Sequence, residues 1–172
     1  ASEGLIYTHY QMCEDIPEGE VVYGLDFGFN VPSALVRVTL KDGAAYVKEL
    51  LYEPKLTTND LVERLKEMAI TGSDEIFCDA AEPKTIEELY RNGFNAKLAD
   101  KDVTEGIRKV KGQRLYIMGQ NLHNELKGYK WKEDKEGNIL DEPVKMNDHL
   151  ADAMRYAIFT KLKNPSLTWG IV

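Results

Sequence analysis

Three aspartates in separate parts of the chain occupy positions from which their carboxylates could bind a metal ion. Asp26 ends the apolar run "VVYGLD", and Asp79 follows the short apolar run "EIFC". Asp152 lies near the start of the last amphipathic segment, "NDHLADAMRYAIFTKL". Crowded carboxylates repel one another unless one is protonated or a cation lies between them. Because oxygen ligands of this kind favour Mg²⁺ or Mn²⁺, the three acids predict a site for hard divalent cations.

Two further side chains share the predicted helix with Asp152. Asp148 comes four residues before it and His149 three residues before it, so each shares a helical face with Asp152. Two divalent ions about 4 Å apart, held by such carboxylates, can activate a water and stabilise the leaving oxygen of a phosphodiester. We therefore predict Asp26, Asp79 and Asp152 as catalytic metal ligands, with His149 and Asp148 as accessory residues.

Each of these residues also has an ordinary structural explanation. An aspartate at the end of a strand is commonly a turn or cap residue. Asn147 is a good N-cap for the last helix, with Asp148 as an alternative cap. His149 could be a surface residue, and Asp152 lies opposite an apolar stripe and could face water. A metal site is therefore indicated by the order of contexts: an Asp after a strand, an Asp after a later strand, and an Asp on the final helix.

The acids must be positioned by strands and helices, which the hydrophobic pattern predicts. Apolar runs at 21–27, 33–40 and 44–51 predict three strands, and Asp42-Gly43 predicts a tight hairpin turn. The period then becomes helical, and helices alternate with strands. Further strands are predicted at 75–80, 95–99 and 114–118, helices at 57–70, 83–93, 104–112, 120–129 and 147–162, and an exposed hairpin at 129–143. The fold class is therefore α/β, with a mixed central sheet of three antiparallel strands followed by parallel strands, flanked by helices.

Composition is that of one globular domain. The chain has 172 residues, of which 43% are hydrophobic and 30% charged. No apolar run approaches the roughly 18 residues that a membrane span requires. Two well-separated cysteines, Cys13 and Cys78, form no zinc or disulfide pattern, which is typical of a reducing cytoplasm. The formal net charge of −7 argues against a generic nucleic-acid coat protein but not against an enzyme with acids around metal ions.

Basic side chains in the middle of the chain could form a track for phosphate groups. The stretch "IRKVKGQR" contains Arg108, Lys109 and Lys111, and Lys101 precedes it. Because phosphate contacts supply most of the sequence-independent affinity for DNA, we predict these four as DNA-binding residues. Charge runs on helices are also commonly solvated faces. The negative net charge of the chain predicts that its binding to DNA is weak and salt-sensitive.

Four segments together are similar to a known protein family. They are "VVYGLDFGFNVPSALV", "IFCDAAEPKTIEELYRNGF", "KDVTEGIRKVK" and "NDHLADAMRYA". The blocks D-A-A-E-P at 79–83 and N-D-H-x-x-D-A-x-R-Y at 147–156 are the most specific. Over about residues 20–162, the chain resembles the C-terminal nuclease domain of the terminase large subunits, the DNA-packaging proteins of tailed phages.

The resemblance implies an RNase H-like fold and an endonuclease that depends on Mg²⁺ or Mn²⁺, with two bound ions. Such an enzyme cuts double-stranded, concatemeric phage DNA during genome packaging. The acidic triad implied for this chain is Asp26, Asp79 and Asp152, with His149 and Asp148 at accessory positions. The implied partners are double-stranded DNA, an N-terminal packaging ATPase domain, the portal protein and the small terminase subunit, in the cytoplasm of the infected bacterial host.

The resemblance also sets the expected domain boundaries, because such proteins carry an ATPase domain before the nuclease domain. The sequence contains no G-x-x-x-x-G-K-[ST] loop, so we expect the ATPase domain to be missing. Residues 1–20 are then predicted as a leading segment or linker from it. Residues 21–163 are predicted as the nuclease domain and residues 164–172 as a C-terminal tail.

Three other interpretations remain. Another RNase H-like nuclease, such as a Holliday-junction resolvase or a ribonuclease H, shares the strand-end aspartates but is not expected to carry the D-A-A-E-P block. The stretch "GLDFGFNVPSAL" is faintly similar to the phosphate loop of actin-like kinases, which need two related domains and an adenosine site. A non-catalytic docking module of the packaging motor would use the acids structurally.

Overall fold

A seven-stranded mixed sheet forms the centre of the computed structural model, which describes residues 4–79 and 81–164. Its strands are β1 (Gln11–Met12), β2 (Glu20–Asp26), β3 (Ser33–Lys41), β4 (Ala44–Glu53), β5 (Glu75–Cys78), β6 (Asn95–Leu98) and β7 (Arg114–Met118). The strand order is β1-β7-β4-β3-β2-β5-β6. Strand β3 is antiparallel to both neighbours, whereas every other adjacent pair is parallel. The predicted mixed sheet is confirmed.

Helices cover both faces of this sheet. They are α1 (Thr58–Glu67), α2 (Pro83–Arg91), α3 (Val103–Lys111), α4 (Gln120–Gly128) and α5 (His149–Lys163). Side chains of α3, α4 and α5 form one core cluster with the sheet, and side chains of α1 and α2 form a second cluster. The domain therefore has three layers, with the sheet in the middle. Within residues 4–79 and 81–164, no helix combines the length and the apolar character that a membrane crossing needs.

Two hairpins occur where the turn residues predict them. Asp42 and Gly43 have φ of 49° and 77°, and they connect β3 to β4 with Lys41 opposite Ala44. Positive φ at both central residues is what a tight two-residue hairpin needs, and aspartate and glycine tolerate it best. The second hairpin joins β8 (Trp131–Glu133) to β9 (Ile139–Pro143) and forms a separate two-stranded sheet.

Strand β2 packs one of its faces directly against α5. Val22 belongs to the core cluster that includes α5, whereas Tyr23 and Leu25 belong to the cluster on the other face. A Cβ atom on Gly24 would lie only 1.9 Å from the carbonyl oxygen of Ala153 in α5. Because side chains alternate along a strand, Asp26 points to the same face as Gly24. The close approach at Gly24 therefore brings Asp26 beside α5.

Replacing Gly24 by alanine is expected to lower the free energy of unfolding by about 3 kcal/mol or more, because the added methyl group must push α5 off the sheet. Urea unfolding at equilibrium measures this change. Gly128→Ala is the matched control, since a Cβ there meets nothing within 4 Å, and its stability should be unchanged or slightly higher. A Gly24→Ala domain as stable as the Gly128→Ala domain would contradict the close approach of β2 and α5.

The described part of the predicted leading segment packs onto the domain. Ile6 and Tyr7 are each 1% exposed, and the Ile6 N–H donates to the carbonyl oxygen of Tyr129 at 2.9 Å. Strand β1 adds to the edge of the sheet beside β7. Residues in this segment therefore contribute to the core, while a connection to an ATPase domain stays a prediction. The predicted tail, apart from Asn164, lies outside the described residues.

Candidate active site

Asp26 ends β2 and Asp79 comes directly after β5, and these two strands are parallel neighbours in the sheet. Leu25 in β2 lies opposite Cys78 in β5, and the N–H of Asp79 donates to the carbonyl oxygen of Leu25 at 3.3 Å. Neighbouring strands lie about 4.8 Å apart. Phe77 belongs to the core cluster that includes α5, so the alternation of side chains places Asp79 on the same face as Asp26. The two carboxylates therefore leave the sheet side by side and toward α5.

Asp152 reaches this edge of the sheet from the first turn of α5. Its side chain is buried, as is that of Asp26, and each residue is 7% exposed. The interpretation that Asp152 faces water is therefore wrong. Oδ1 of Asp152 accepts a hydrogen bond from Nη2 of Arg155 at 3.1 Å, and Arg155 is itself buried.

His149 and Tyr156 also lie against Asp26. Nδ1 of His149 is 3.5 Å from Oδ2 of Asp26 and 4.0 Å from Oδ1 of Asp148. The hydroxyl of Tyr156 donates to Oδ1 of Asp26 at 3.4 Å. The start of α5 thus brings both predicted accessory residues, Asp148 and His149, to the acid that ends β2.

Asn147, predicted as the N-cap of the last helix, is not the cap. Asn147 has a φ of 49°, and Asp148 takes the N-cap position without a side-chain hydrogen bond to the helix. Glu125 in α4 accepts the hydrogen bond of the Ala151 N–H instead, at 2.9 Å. The prediction is wrong because a side chain distant in sequence does what a local cap usually does.

The protonation of Asp26 reflects both its burial and its charged neighbours. Burial raises the pKa of Asp26, the hydrogen bond from His149 lowers it, and the charge of Asp79 raises it again. The same contact with Asp26 raises the pKa of His149, which burial alone would lower. The contact therefore favours the ionised carboxylate of Asp26 and the protonated imidazole of His149.

Asp152 responds to the same crowding of acids. Burial raises its pKa to about 6, Arg155 opposes the shift, and the charges of Asp148 and Asp26 add to it. The charges of Asp148 and Asp26 thus make ionisation of Asp152 less favourable, and a bound cation would remove that penalty.

The donor set suits Mg²⁺ or Mn²⁺, because its carboxylate oxygens are hard ligands and its buried acids would gain from a cation. Within the part of the chain that the structure describes, however, no three His, Cys, Asp or Glu side chains are already arranged around one ion. Oδ1 of Asp79 accepts the N–H of Ala81 at 2.9 Å, and Oδ1 of Asp152 faces Arg155. Metal binding would require these side chains to rotate. The roles of Asp26, Asp79 and Asp152 as ligands stay a prediction.

The predicted DNA-binding residues are all exposed; Arg108, Lys109 and Lys111 lie on α3, and Lys101 precedes it. Lys101 follows the end of β6, where the N–H of Ala99 donates to the carbonyl oxygen of Cys78, next to Asp79. Lys111 lies at the other end of the helix, three residues before Arg114, which pairs with the start of β4. Arg108 forms an ion pair with Glu105. Lys101 follows Asp100, whose N–H donates to Oγ1 of Thr160 near the end of α5 at 2.9 Å, and Lys111 lies near the start of β7. A DNA-binding role for Lys101, Arg108, Lys109 and Lys111 stays a prediction.

Comparison with known proteins assigns the family. The profile described as "Terminase RNAseH like domain" matches residues 26–159, a range that begins at Asp26 and includes Asp79 and Asp152.

The chain belongs to this terminase family.

Three relatives show how far the terminase likeness extends. The PBSX phage terminase large subunit of Bacillus subtilis (strain 168) is 27% identical over 144 residues, which are 78% of this chain and 33% of that protein. The nuclease domain of the large terminase of bacteriophage SPP1, solved with bound Mn, superposes with a TM-score of 0.76 at 20% identity and covers 91% of this chain and 97% of that one. The large terminase of a thermophilic bacteriophage, solved in complex with ATP-gamma-S, gives a TM-score of 0.76 at 25% identity over 92% of this chain and 45% of that one.

The terminase chain therefore spans about a third of the curated relative that it matches. The RNase H-like fold is confirmed, and so is the resemblance to the nuclease domain of terminase large subunits.

Three residues that contact the predicted acids or the start of α5 were not among the predicted site residues: Glu125, Arg155 and Tyr156. Arg155 and Tyr156 lie within the N-D-H-x-x-D-A-x-R-Y block, so the block itself indicated them. Glu125 comes three residues after Leu122 and one residue before Leu126, both of which are fully buried. An acid on the apolar stripe of a helix was the pattern that could have identified it.

Proposed function

We propose that this terminase domain is a Mg²⁺- or Mn²⁺-dependent endonuclease that cuts double-stranded, concatemeric phage DNA during genome packaging. The observation that carries the proposal is the side-by-side exit of Asp26 and Asp79 from neighbouring strands, with Asp152 reaching them from α5. The bound Mn in the SPP1 nuclease domain supports a divalent ion in this fold.

Asp26, Asp79 and Asp152 are the residues that would hold the ions, which we propose to be two. When bound, divalent ions supply polarisation of an attacking water and neutralisation of charge on the leaving oxygen of a phosphodiester. The chain itself excludes water from Asp26 and Asp152 by burying them. Tyr156 orients Asp26, and Arg155 orients Asp152, through the hydrogen bonds that these side chains donate.

His149 has an accessory role in this proposal. Its Nδ1 lies between the carboxylates of Asp26 and Asp148, and its pKa is raised chiefly by the hydrogen bond to Asp26. A protonated imidazole balances part of the acidic charge at the strand end. The contact therefore favours a protonated His149 next to a carboxylate that we propose as a metal ligand.

The proposal includes the partners of a packaging motor. Duplex DNA is the proposed substrate, and the exposed side chains of Lys101, Arg108, Lys109 and Lys111 are its proposed phosphate contacts. The large terminase of the thermophilic bacteriophage, 45% of which this chain covers, was solved with ATP-gamma-S, which supports an ATPase domain as the partner in a longer protein. A portal protein and a small terminase subunit complete the proposed assembly, in the cytoplasm of the infected bacterial host.

A second candidate function is a non-catalytic docking module of the motor. It is favoured by one observation, that the described residues contain no group of three side chains already arranged as ligands. In that case the acids would be structural, and neutralising one of them would leave metal binding and DNA nicking unchanged.

Metal-dependent nicking of duplex DNA is the test that separates these functions. We expect the domain to convert supercoiled plasmid to nicked and linear forms with Mn²⁺ or Mg²⁺, and to give no product above background with EDTA. Gel electrophoresis measures the products, and raising the salt concentration should slow the reaction because salt weakens contacts between basic side chains and phosphates. Preferential cutting of an RNA–DNA hybrid or of a four-way junction would contradict the terminase assignment of substrate, and absence of all cutting would favour the docking module.

A further inference from the structure

Glu125 is a buried acid that the proposed chemistry does not use. It lies in the middle of α4, is 5% exposed, and faces the first turn of α5. Its Oε1 accepts the Ala151 N–H at 2.9 Å, whereas Oε2 is buried and has no hydrogen-bond partner among the described residues. A carboxylate in this position needs an explanation, because an unpaired buried oxygen costs free energy.

The hydrogen bond from Ala151 replaces a missing local cap. The first N–H groups of a helix have no partner within the helix. Asp148 holds the N-cap position of α5 but makes no side-chain cap. Because Glu125 takes over the capping, the carboxylate of Asp148 remains beside His149, 4.0 Å from its Nδ1.

Helix α4 is itself fixed to the sheet by the same kind of contact. Oε1 of Glu49, in β4, accepts the N–H of Leu122 at 2.9 Å, and Oε2 of Glu49 accepts a hydrogen bond from Nδ2 of Asn121 at 2.7 Å. Two acids thus connect β4 to the start of α4, and α4 to the start of α5. The first turn of α5 is held relative to the sheet that carries Asp26.

We propose that Glu125 is a positioning residue of the metal site, which holds the start of α5 so that Asp152, Asp148 and His149 face Asp26. This inference rests on the proposed nuclease function. Glu125 acts through the Ala151 backbone and needs no contact with DNA or with a metal ion.

Burying the carboxyl group of Glu125 has an energetic cost. Burial raises its pKa to about 7, and the N–H groups of Ala151 and Leu150 only partly oppose the shift. Methionine at this position would remove the cost of burying the acid but would leave the Ala151 N–H without an acceptor, so the two effects on stability oppose each other.

The experiment compares Glu125→Met with Glu125→Gln. Methionine keeps the volume and cannot accept the Ala151 hydrogen bond, whereas glutamine keeps an Oε1 acceptor and has no charge. Glu88→Met, an exposed position on α2, is the matched control for a glutamate-to-methionine exchange in a helix. The measurements are the thermal midpoint without metal, the dissociation constant for Mn²⁺ by calorimetry, and the rate of plasmid nicking.

We expect Glu125→Met to change the thermal midpoint little, because relief of the buried acid offsets the unpaired Ala151 N–H, while weakening Mn²⁺ binding and nicking by about tenfold or more, the range seen when a group that orients metal ligands is lost. Glu125→Gln should restore both to within about threefold of the unmodified domain, because its amide oxygen accepts the same hydrogen bond. Glu88→Met should change none of the three measurements.

Three results would overturn the inference. The first is a Glu125→Met domain that binds Mn²⁺ and nicks DNA normally, and the second is a Glu125→Gln domain as impaired as Glu125→Met, since the charge rather than the cap would then matter. The third is a Glu125→Met domain that fails to fold, because the acid would then be needed for the fold itself. If the unmodified domain neither binds Mn²⁺ nor nicks DNA, the proposed function fails, and that outcome is visible before any Glu125 variant is made.

Discussion

The Asp26→Asn domain is expected to fold normally and to lose metal-dependent DNA nicking by about a thousandfold or more, equivalent to roughly 4 kcal/mol of activation free energy. Asp26 is the acid that the other site residues surround: His149, Tyr156 and the neighbouring strand position Asp79 all adjoin it. Asparagine keeps the shape and the acceptor for Tyr156 but removes the charge that a divalent ion requires. Plasmid nicking and Mn²⁺ calorimetry on the same preparation measure both losses.

Stability should not fall with this substitution, because burial already raises the pKa of Asp26 and so disfavours its charge. Asp42→Asn is the matched control, since it lies in the β3–β4 turn with a φ of 49°, a conformation that asparagine tolerates. Its nicking rate should equal that of the unmodified domain. An Asp26→Asn domain that still binds Mn²⁺ and nicks DNA would favour the docking module over the nuclease.

Local patterns were sufficient to predict most of the fold. Asp42-Gly43 required a tight turn whatever the rest of the chain did, and this turn fixed the register of β3 against β4. The change from strand to helical periodicity after residue 53 separated the antiparallel strands from the parallel ones. The two-residue strand β1 was not predicted, because two residues are too short to show alternation.

The site was predictable only in part, because its geometry depends on contacts between distant segments. The order of Asp26, Asp79 and Asp152 could be read along the chain, and the sheet places the first two side by side. The capping of α5 by Glu125 connects residues 26 positions apart, so no local rule favoured it over Asn147. Cap propensities describe neighbours in sequence, and here a tertiary contact replaced the local one.

The predicted DNA-binding residues show that nearness in sequence does not ensure nearness on the surface. Lys101 precedes α3 and Lys111 ends it, so the helix separates them by its length of about 13 Å. Basic residues that are near one another in sequence therefore lie on separate parts of the surface once the helix forms.

The metal-free domain is expected to lose stability, on the order of 3 kcal/mol, as the pH rises from 5 to 8. A carboxyl group whose pKa is higher in the folded than in the unfolded state contributes stability that is complete below the unfolded pKa and lost as the pH rises through the folded pKa. Burial raises the pKa of Glu125 from 4.5 to about 7 and that of Asp152 from 3.8 to about 6. Asp26 and His149 are shifted in the same direction. At about 1.4 kcal/mol for each pKa unit, Glu125 alone accounts for most of this loss.

Acids whose pKa is lowered in the folded domain do not affect the change in stability between pH 5 and 8. They are Asp60, Glu75, Asp100 and Asp134, whose ordinary values of 3.8 to 4.5 lie below pH 5. The stability that they contribute is lost only as the pH falls through their lowered values, so it stays constant between pH 5 and 8. The slope in this window therefore reports on the buried groups around the start of α5.

Urea unfolding at several pH values, with and without Mn²⁺, measures the effect and connects it to the metal site. Glu125→Gln should remove most of the fall in the free energy of unfolding between pH 5 and 8, because Glu125 contributes the largest part of that fall. Mn²⁺ at a hundred times the dissociation constant measured at pH 8 should add about 2.7 kcal/mol at that pH, and the same concentration should add less at pH 5, where protons compete for Asp26 and Asp152. Stability that stayed level or rose from pH 5 to pH 8 would mean that these acids ionise freely in the folded domain. In that case their crowding would not favour a cation, and the electrostatic reason for a metal at this edge of the sheet would be lost.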